Sequence, residues 1–376
     1  MKKLKTLLTM SAAVLMLASC GDNKNSSDPS YSGKEIKITK EQALEKIGTA
    51  ADSMRNSAGL KVVESLDLGL NISQKELSVD EIPVVMSEEK TIIDLTTETN
   101  LEIMAGEDSE NILLESQIEY SKAYGEDENS AITFEGMFGL YVKDEALYTQ
   151  VEGSQTKDGV EESISNKNGI TFEQLEITIE AYIEQLMGRI GEMDGDIPEF
   201  DESMMLMIQV LLAEVEDALP GPKAYKDNKD LTIVYSYTMD DINNAIDIIV
   251  PLVLGVQTSV SPAIAMIDAM PNEDGLEQMA ELIKAQVAEM FMLNEFTLSV
   301  TIHDEKFISA MSFDLDLDLK NLAYGGTAGL EGQISKYYLY AGIDVHSNVA
   351  IEALPKNHIV EFPVDMGESW MKSDIE

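Results

Sequence analysis

Cysteine is nearly absent from this chain, which has a single one, Cys20, among its 376 residues. One thiol cannot form an internal disulfide, so the fold has to be stable without cross-links. An unpaired thiol in an exported protein is exposed to oxidants unless a covalent modification consumes it. The scarcity of cysteine therefore excludes a disulfide-stapled domain and leaves no second cysteine for catalysis.

Basic residues are also scarce. Lys and Arg number 26 against 69 Asp and Glu, which gives a formal net charge of −43 at pH 7. A field of this sign repels phosphate backbones, so nucleic acid is excluded as a partner. The hydrophobic share of 44% is ordinary for a globular protein, so the carboxylates belong to a folded surface and not to a disordered chain.

Catalytic motifs are missing as well. None of the three histidines falls in a zinc-protease motif, and the chain has no nucleophile elbow or phosphate loop; these histidines are His303, His346 and His358. The first lies in a predicted turn at 302–306, where we expect it to be exposed. We therefore predict that the protein is not an enzyme and has no cofactor apart from a covalent lipid described below.

Two acidic patterns are candidates for calcium sites. Asp314, Asp316 and Asp318 alternate with apolar residues, which places three carboxylates on one face of a strand. A solvated outer face is the simpler interpretation of that row. The segment 194–196, Asp-Gly-Asp, fails the EF-hand spacing because position 190 is Ile. No metal site is predicted.

The N-terminal residues have the pattern of a secretory signal, with a basic start, an apolar stretch at 7–18 and small residues after it. The apolar stretch is too short to span a bilayer. Leu17-Ala18-Ser19-Cys20 resembles the bacterial lipobox, in which the cysteine thiol takes a diacylglycerol. The resemblance implies a signal peptide at 1–19 and an acyl lipid on Cys20 that anchors the protein to the extracytoplasmic face of a membrane. A flexible tether at 20–38 would follow. The alternative is a plain secreted protein with a chance cysteine.

Alternation of apolar and polar residues predicts several half-buried strands. The first runs from Leu60 to Ile72, and others are predicted at 93–103, 112–120, 131–151, 231–239, 296–302, 307–319 and 337–345. Capping boxes at Thr39–Gln42 and Thr171–Gln174 predict helix starts, and helical spacing predicts further helices at 201–219 and 276–293. Because strands, then helices, then strands follow one another, the pattern favours an α+β fold.

These elements resemble the half-barrel lipoprotein carriers of the LolA-like and LppX-like superfamily. The likeness rests on the strand 60–72, the hairpin 139–151, the passage from strand into helix at 234–241 and the hairpin 297–319. It implies an α+β fold in which a curved antiparallel sheet, a half-barrel, has helices packed on its concave face. We accordingly predict one such domain over 39–365, with a helical insertion at about 171–222 and a tail at 366–376.

The resemblance also implies a ligand, namely a lipid or another apolar molecule held on the concave face. Methionine side chains adapt to irregular apolar shapes, so those on the predicted helices are the candidates for lining such a cavity. They are Met187, Met204, Met207, Met266, Met270 and Met290. Plain core packing is the alternative role for these methionines. The uncharged run at 248–267 contains Pro251 and Pro262, which favours a buried broken hairpin over a membrane span.

Two functions follow from the sequence. The leading prediction is a membrane-anchored lipoprotein that binds a lipid in a half-barrel cavity. The alternative is a lipoprotein with a packed core that contacts another protein of the cell envelope and holds no small molecule.

Overall fold

Long strands dominate the structure, a computed structural model that describes residues 31–78, 85–105, 110–124, 131–175, 219–247, 273–328, 334–367 and 369–371. The twelve strands are β1 (Lys34–Ile36), β2 (Gly59–Ser78), β3 (Val85–Ala105), β4 (Glu110–Tyr124), β5 (Ile132–Lys143), β6 (Ala146–Lys157), β7 (Val160–Thr171), β8 (Lys223–Asp227), β9 (Asp230–Ser236), β10 (Phe291–His303), β11 (Phe307–Ala328) and β12 (Ile334–Leu354).

All twelve strands belong to one sheet, in the order β1-β8-β9-β10-β11-β12-β2-β3-β4-β5-β6-β7. Each neighbouring pair is antiparallel. The pairing of β12 with β2 joins distant parts of the chain, because Leu354 lies opposite Gly59. Tight hairpins connect several other pairs. Asp144 and Glu145, for example, both have positive φ, as a two-residue turn that matches the strand twist requires.

Side-chain alternation gives the sheet two chemically different faces. Along β2, Leu66, Leu68, Leu70 and Ile72 project to one side, called the apolar face below, as the alternation of the sequence predicts. Ser65, Asp67 and Asn71 project to the other side, called the polar face. Directly paired residues share a face. Leu68 lies opposite Leu95 and Val345, whereas Asp67 lies opposite Thr96 and His346.

Helices occupy a small part of the described chain. They are α1 (Lys40–Arg55), α2 (residues 239–247) and α3 (Glu273–Met290). The capping box at Thr39 and Gln42 begins α1, as predicted. Both α1 and α3 lie against β10 and β11. Ala43 and Ala50 of α1 are fully buried in a core with residues such as Val62 and Ile302, and each large apolar side chain buried there contributes about 1.5–3 kcal/mol.

A second core lies where the C-terminal segment 355–371 crosses β3 to β6. Tyr141 is fully buried in it, and Trp370 packs edge-on against Tyr141 and Tyr148, with ring centroids 5.9 and 6.3 Å apart. Met371 forms a parallel bridge with Gly169 of β7. The end of the described chain is therefore part of the packed structure.

The predicted α+β fold with helices on a concave face is wrong. The described chain forms one 12-stranded antiparallel sheet, and its helices α1 and α3 lie mainly against β10 and β11 and not across the whole sheet. The physical reason is the length of the strands. The predicted segments of 9 to 13 residues are parts of longer strands, because β2, β3, β11 and β12 each run for 20 to 22 residues. The resemblance to LolA-like and LppX-like carriers is therefore wrong as well.

Several predicted features lie outside the described residues. They are the signal and Cys20, the helix at 201–219, the calcium-like segment 194–196 and the uncharged run 248–267. Within the described part of the chain, no helix combines the length and the apolar character that crossing a membrane requires.

Candidate functional site

A groove of about 800 Å³ lies across the polar face of the sheet. It crosses six neighbouring strands, from β10 through β11, β12, β2 and β3 to β4. At about 4.8 Å between strands, this corresponds to a length of about 24 Å. Two side-by-side rows of residues form it: Ser299, Ser312, Asn348, Ser65, Glu98 and Gln117 in one, and Ala310, Ala350, Val63, Asn100 and Glu115 in the other.

Several hydrogen-bonding side chains line this groove. Glu98 and Glu115 belong to adjacent strands, and Asn100 lies directly opposite Glu115. The side-chain oxygen of Asn100 is buried and has no hydrogen-bond partner within the described residues. A buried acceptor without a donor is costly, so the site would gain from a ligand that supplies an N–H or O–H group. Among the described residues, no Lys, Arg or His lines the groove.

The carboxylate of Glu115 is held in place from the second core. The hydroxyl of Tyr141 donates to Glu115 Oε1 at 3.0 Å and lies 3.3 Å from Gln150 Oε1. Burial, and then the nearby charge of Glu115, raise the pKa of Tyr141. The phenol therefore stays protonated at neutral pH and remains a donor to Glu115.

An acidic patch adjoins the groove on the same face. His346 Nδ1 lies 3.0 Å from Asp314, and its Nε2 lies 3.0 Å from Asp344. Glu295 lies opposite Asp316, whose carboxylate accepts a bond from Asn294 at 2.9 Å. Burial raises the pKa of Glu295, and the charge of Asp314 adds to the effect. The crowding of these carboxylates indicates a locally negative potential beside the groove.

The predicted calcium-like row lies at this acidic patch, but its members bond to protein groups. Asp318 accepts a hydrogen bond from Tyr340 at 2.7 Å and lies 3.4 Å from Lys320. These two contacts, the first more strongly, lower the pKa of Asp318. Within the described residues, no group of three or more His, Cys, Asp or Glu is placed to hold a metal ion.

The predicted ligand-lining methionines do not belong to this groove. Met187, Met204, Met207, Met266 and Met270 lie outside the described residues, as does the lipidation candidate Cys20. Met290 is the last residue of α3 and is 40% exposed. His303 lies at the turn between β10 and β11 and is exposed, as predicted, with Nδ1 2.6 Å from Asp230.

Sequence reasoning missed the groove because its residues come from six strands, and no local pattern predicts that β12 pairs with β2 and so joins β10–β12 to β2–β4. The available signal was the polar half of the alternation. Ser65, Glu98 and Gln117 occupy polar positions of three strands, but only the register across the sheet brings them into one row.

The predicted function as a lipid carrier is wrong together with the fold that implied it. Acyl chains in the groove would leave the two carboxylates and three side-chain amides of its two rows without partners. The predicted half-barrel with a lipid-binding cavity therefore does not describe this protein.

Comparison with known proteins does not assign a family. No protein-family model and no curated protein matches the chain. Among solved structures, the translocator domain of the autotransporter NalP from Neisseria meningitidis is 8% identical, with 82% of this chain and 95% of that chain covered and a TM-score of 0.14. A Pseudomonas aeruginosa FadL homologue is 5% identical, with 85% and 99% covered and a TM-score of 0.13. Likenesses at such TM-scores carry no argument about fold or function.

Proposed function

We propose that this chain is a non-enzymatic binding protein whose polar sheet face captures a cationic segment of a partner. The observation that carries the proposal is the composition of the groove, in which Glu98, Glu115 and the unbonded oxygen of Asn100 face no basic side chain within the described residues. Ammonium and guanidinium groups supply a positive charge for the two glutamates and N–H donors for acceptor positions that remain open.

The charge of the whole chain supports the same partner. A net charge of −43 attracts cations over a distance and repels anions, so it favours encounter with a basic segment. The length of the groove also limits the length of the partner segment. An extended chain of about seven residues at about 3.3 Å each would span about 24 Å. The partner segment we propose is therefore extended, basic and seven or eight residues long.

Binding of an octalysine peptide, measured by isothermal titration calorimetry at low salt, tests the proposal. The double variant Glu98→Gln, Glu115→Gln keeps the side-chain size and the acceptor that Tyr141 contacts, but removes two charges from the groove. We expect its affinity for octalysine to fall roughly tenfold, as the loss of two partly exposed charge pairs implies.

The matched control is Glu161→Gln, Glu162→Gln, which makes the same change in net charge at two exposed positions of β7. Its affinity should stay within about twofold of the wild type, because the charges lie outside the groove. Equal losses in the two double variants would mean that octalysine responds to net charge alone, and the groove would not be the site.

We further propose that the protein is located in the cell envelope, anchored by lipid on Cys20. The support is the basic start, short apolar stretch and Leu-Ala-Ser-Cys sequence at 17–20. In the bacterial host, the mature protein should show by intact mass an N-terminal residue 20 with added acyl groups, and Cys20→Ala should be recovered without them. Recovery of an unmodified mature chain with a free thiol would contradict the anchor.

A further inference from the structure

The first described residues form a short segment, called the strap below, that lies beside the groove. It comprises residues 31–36 and includes β1, in which Lys34 lies opposite Lys226 and Ile36 opposite Ala224 of β8. Three residues of pairing at a sheet edge are a weak attachment compared with the 12 to 22 residues of most other strands. Lys34 and Glu35 are exposed, and only Ile36 reaches the core beneath α1.

Gly33 fixes the path of the strap. Its φ of +111° is one that L side chains rarely adopt, and a Cβ added there would lie 2.6 Å from the carbonyl oxygen of Lys226. Glycine is therefore required for the strap to dock against β8. Alanine at this position would have to move the strap away from the sheet.

Tyr31 lies at one end of the groove. Its ring stacks on Tyr225 with centroids 5.3 Å apart and an interplanar angle of 23°. Its hydroxyl lies close to Ser299, which lines the groove, is 6% exposed and shares a 2.6 Å hydrogen bond with Ser312. Tyr31 thus lies beside the groove where β10 and β11 meet.

The same side chain lies near both Ser299 of the groove and the carboxylates of the acidic patch. Burial raises the pKa of Tyr31 to about 12, and the charges of Asp314 and Glu295 contribute to the rise. A neutral phenol beside these carboxylates does not compensate their charge. An ammonium group in the same place would do so, and would relieve the crowding that also raises the pKa of Glu295.

We propose that the strap is an autoinhibitory cover, and that a cationic partner displaces Tyr31 and so extends the groove to Asp314 and Glu295. This inference rests on the proposed function of the groove. The docked strap reduces the fraction of molecules that offer the longer site, so the apparent affinity for a cationic partner is lower than the affinity of the open form.

Octalysine binding to strap variants of the full chain tests this inference. Tyr31→Ala removes the cover and Gly33→Ala undocks it by a different route, so both should bind octalysine roughly three- to tenfold more tightly than the wild type. Tyr31→Phe keeps the ring stack but loses the hydroxyl contact with Ser299. Its affinity for octalysine should lie between those of the wild type and Tyr31→Ala. Adding Glu295→Gln to Tyr31→Ala should cancel part of the gain, whereas adding Glu161→Gln, at an exposed position of β7, should not.

The outcomes separate the strap from the groove. Unchanged or weaker binding in both Tyr31→Ala and Gly33→Ala, while Glu98→Gln, Glu115→Gln weakens binding, would overturn the strap and leave the groove function standing. Tighter binding in the strap variants, with no effect of the groove double variant, would support the cover but remove the groove as the site. Thermal unfolding of each variant checks that the sheet remains folded.

Discussion

Glu64 is a carboxyl side chain among apolar neighbours. It lies between Val62 and Leu66 on the apolar face, opposite Val349 on one side and Thr99 on the other. Its Oε1 is buried and has no hydrogen-bond partner within the described residues. Burial raises the pKa of Glu64 to about 7. The cause is desolvation of the charged form, which no cation among the described residues offsets.

This pKa makes stability depend on pH with a defined sign. Between pH 4.5 and 7 the folded chain holds a proton on Glu64 that the unfolded chain releases, so the free energy of unfolding falls as pH rises through this window. Glu64→Gln removes the titrating group, so the free energy of unfolding no longer falls through this window. We expect the variant to be more stable than the wild type by about 2–3 kcal/mol at pH 8, and by much less at pH 5.

Urea unfolding at the two pH values measures this difference. Glu161→Gln, on the exposed part of β7, is the control and should alter stability by less than about 0.5 kcal/mol at either pH. If Glu64→Gln shifts stability equally at pH 5 and pH 8, then Glu64 does not titrate in this window and the account of its burial is wrong.

The C-terminal segment 355–371 is the element that closes the polar face beyond the groove. Trp370 is 3% exposed, and Lys167 lies 5.0 Å above its ring. Lys167 also bonds to Asp365 at 2.8 Å, and His358 bonds to Glu102 of β3 at 2.9 Å. Through Tyr141, this packing also positions the carboxylate of Glu115 in the groove.

Removing the Trp370 ring should therefore destabilise the fold strongly. We expect Trp370→Ala to lower the free energy of unfolding by about 3–5 kcal/mol, because the large buried ring leaves a cavity against Tyr141 and Tyr148. Ile359→Ala in the same segment is the control, since Ile359 is 80% exposed and should cost less than about 0.5 kcal/mol. Similar losses for both variants in urea unfolding would show that the segment is not a packed element.

Local chemistry made many of these elements predictable. The alternation from Leu60 to Ile72 identified β2 and the correct sides of its residues. The turn at Asp144 and Glu145 identified the β5–β6 hairpin. Capping boxes marked helix starts at Thr39 and Thr171, where each threonine and the glutamine three residues later exchange hydrogen bonds.

Other elements gave no usable local signal. β7 is an edge strand with residues such as Glu161 and Glu162 exposed in succession, so it lacks the alternation of a half-buried strand. β1 and β8 have three and five residues, too few for a period to be recognised. Sheet order depends on pairings such as Leu354 with Gly59, which no local pattern encodes. The α+β prediction was wrong because it relied on the order of elements along the chain. The groove was missed because its two rows form only when the strands pair in the observed register.

At the scale of the whole molecule, the sheet separates two chemistries. Leucines and isoleucines of β2, β3, β11 and β12 share the apolar face, whereas carboxylates and amides of the same strands share the polar face. The groove and the acidic patch lie together on that polar face, and the strap lies beside both. In a chain of net charge −43, this is the face on which we propose that a cationic partner binds.

Carboxyl footprinting with a carbodiimide and a small amine tests most directly whether a cationic segment binds in the groove. Labelling is followed by peptide mass spectrometry with and without an N-acetylated, C-terminally amidated octa-arginine, whose guanidinium groups do not couple to activated carboxyls, and Glu161 and Glu162 on β7 serve as internal controls. We predict that octa-arginine protects Glu98 and Glu115 at least about threefold more than it protects these controls, because only the groove residues contact the peptide. Equal protection of all four glutamates, or none, would contradict the proposal that the groove on the polar face is the binding site.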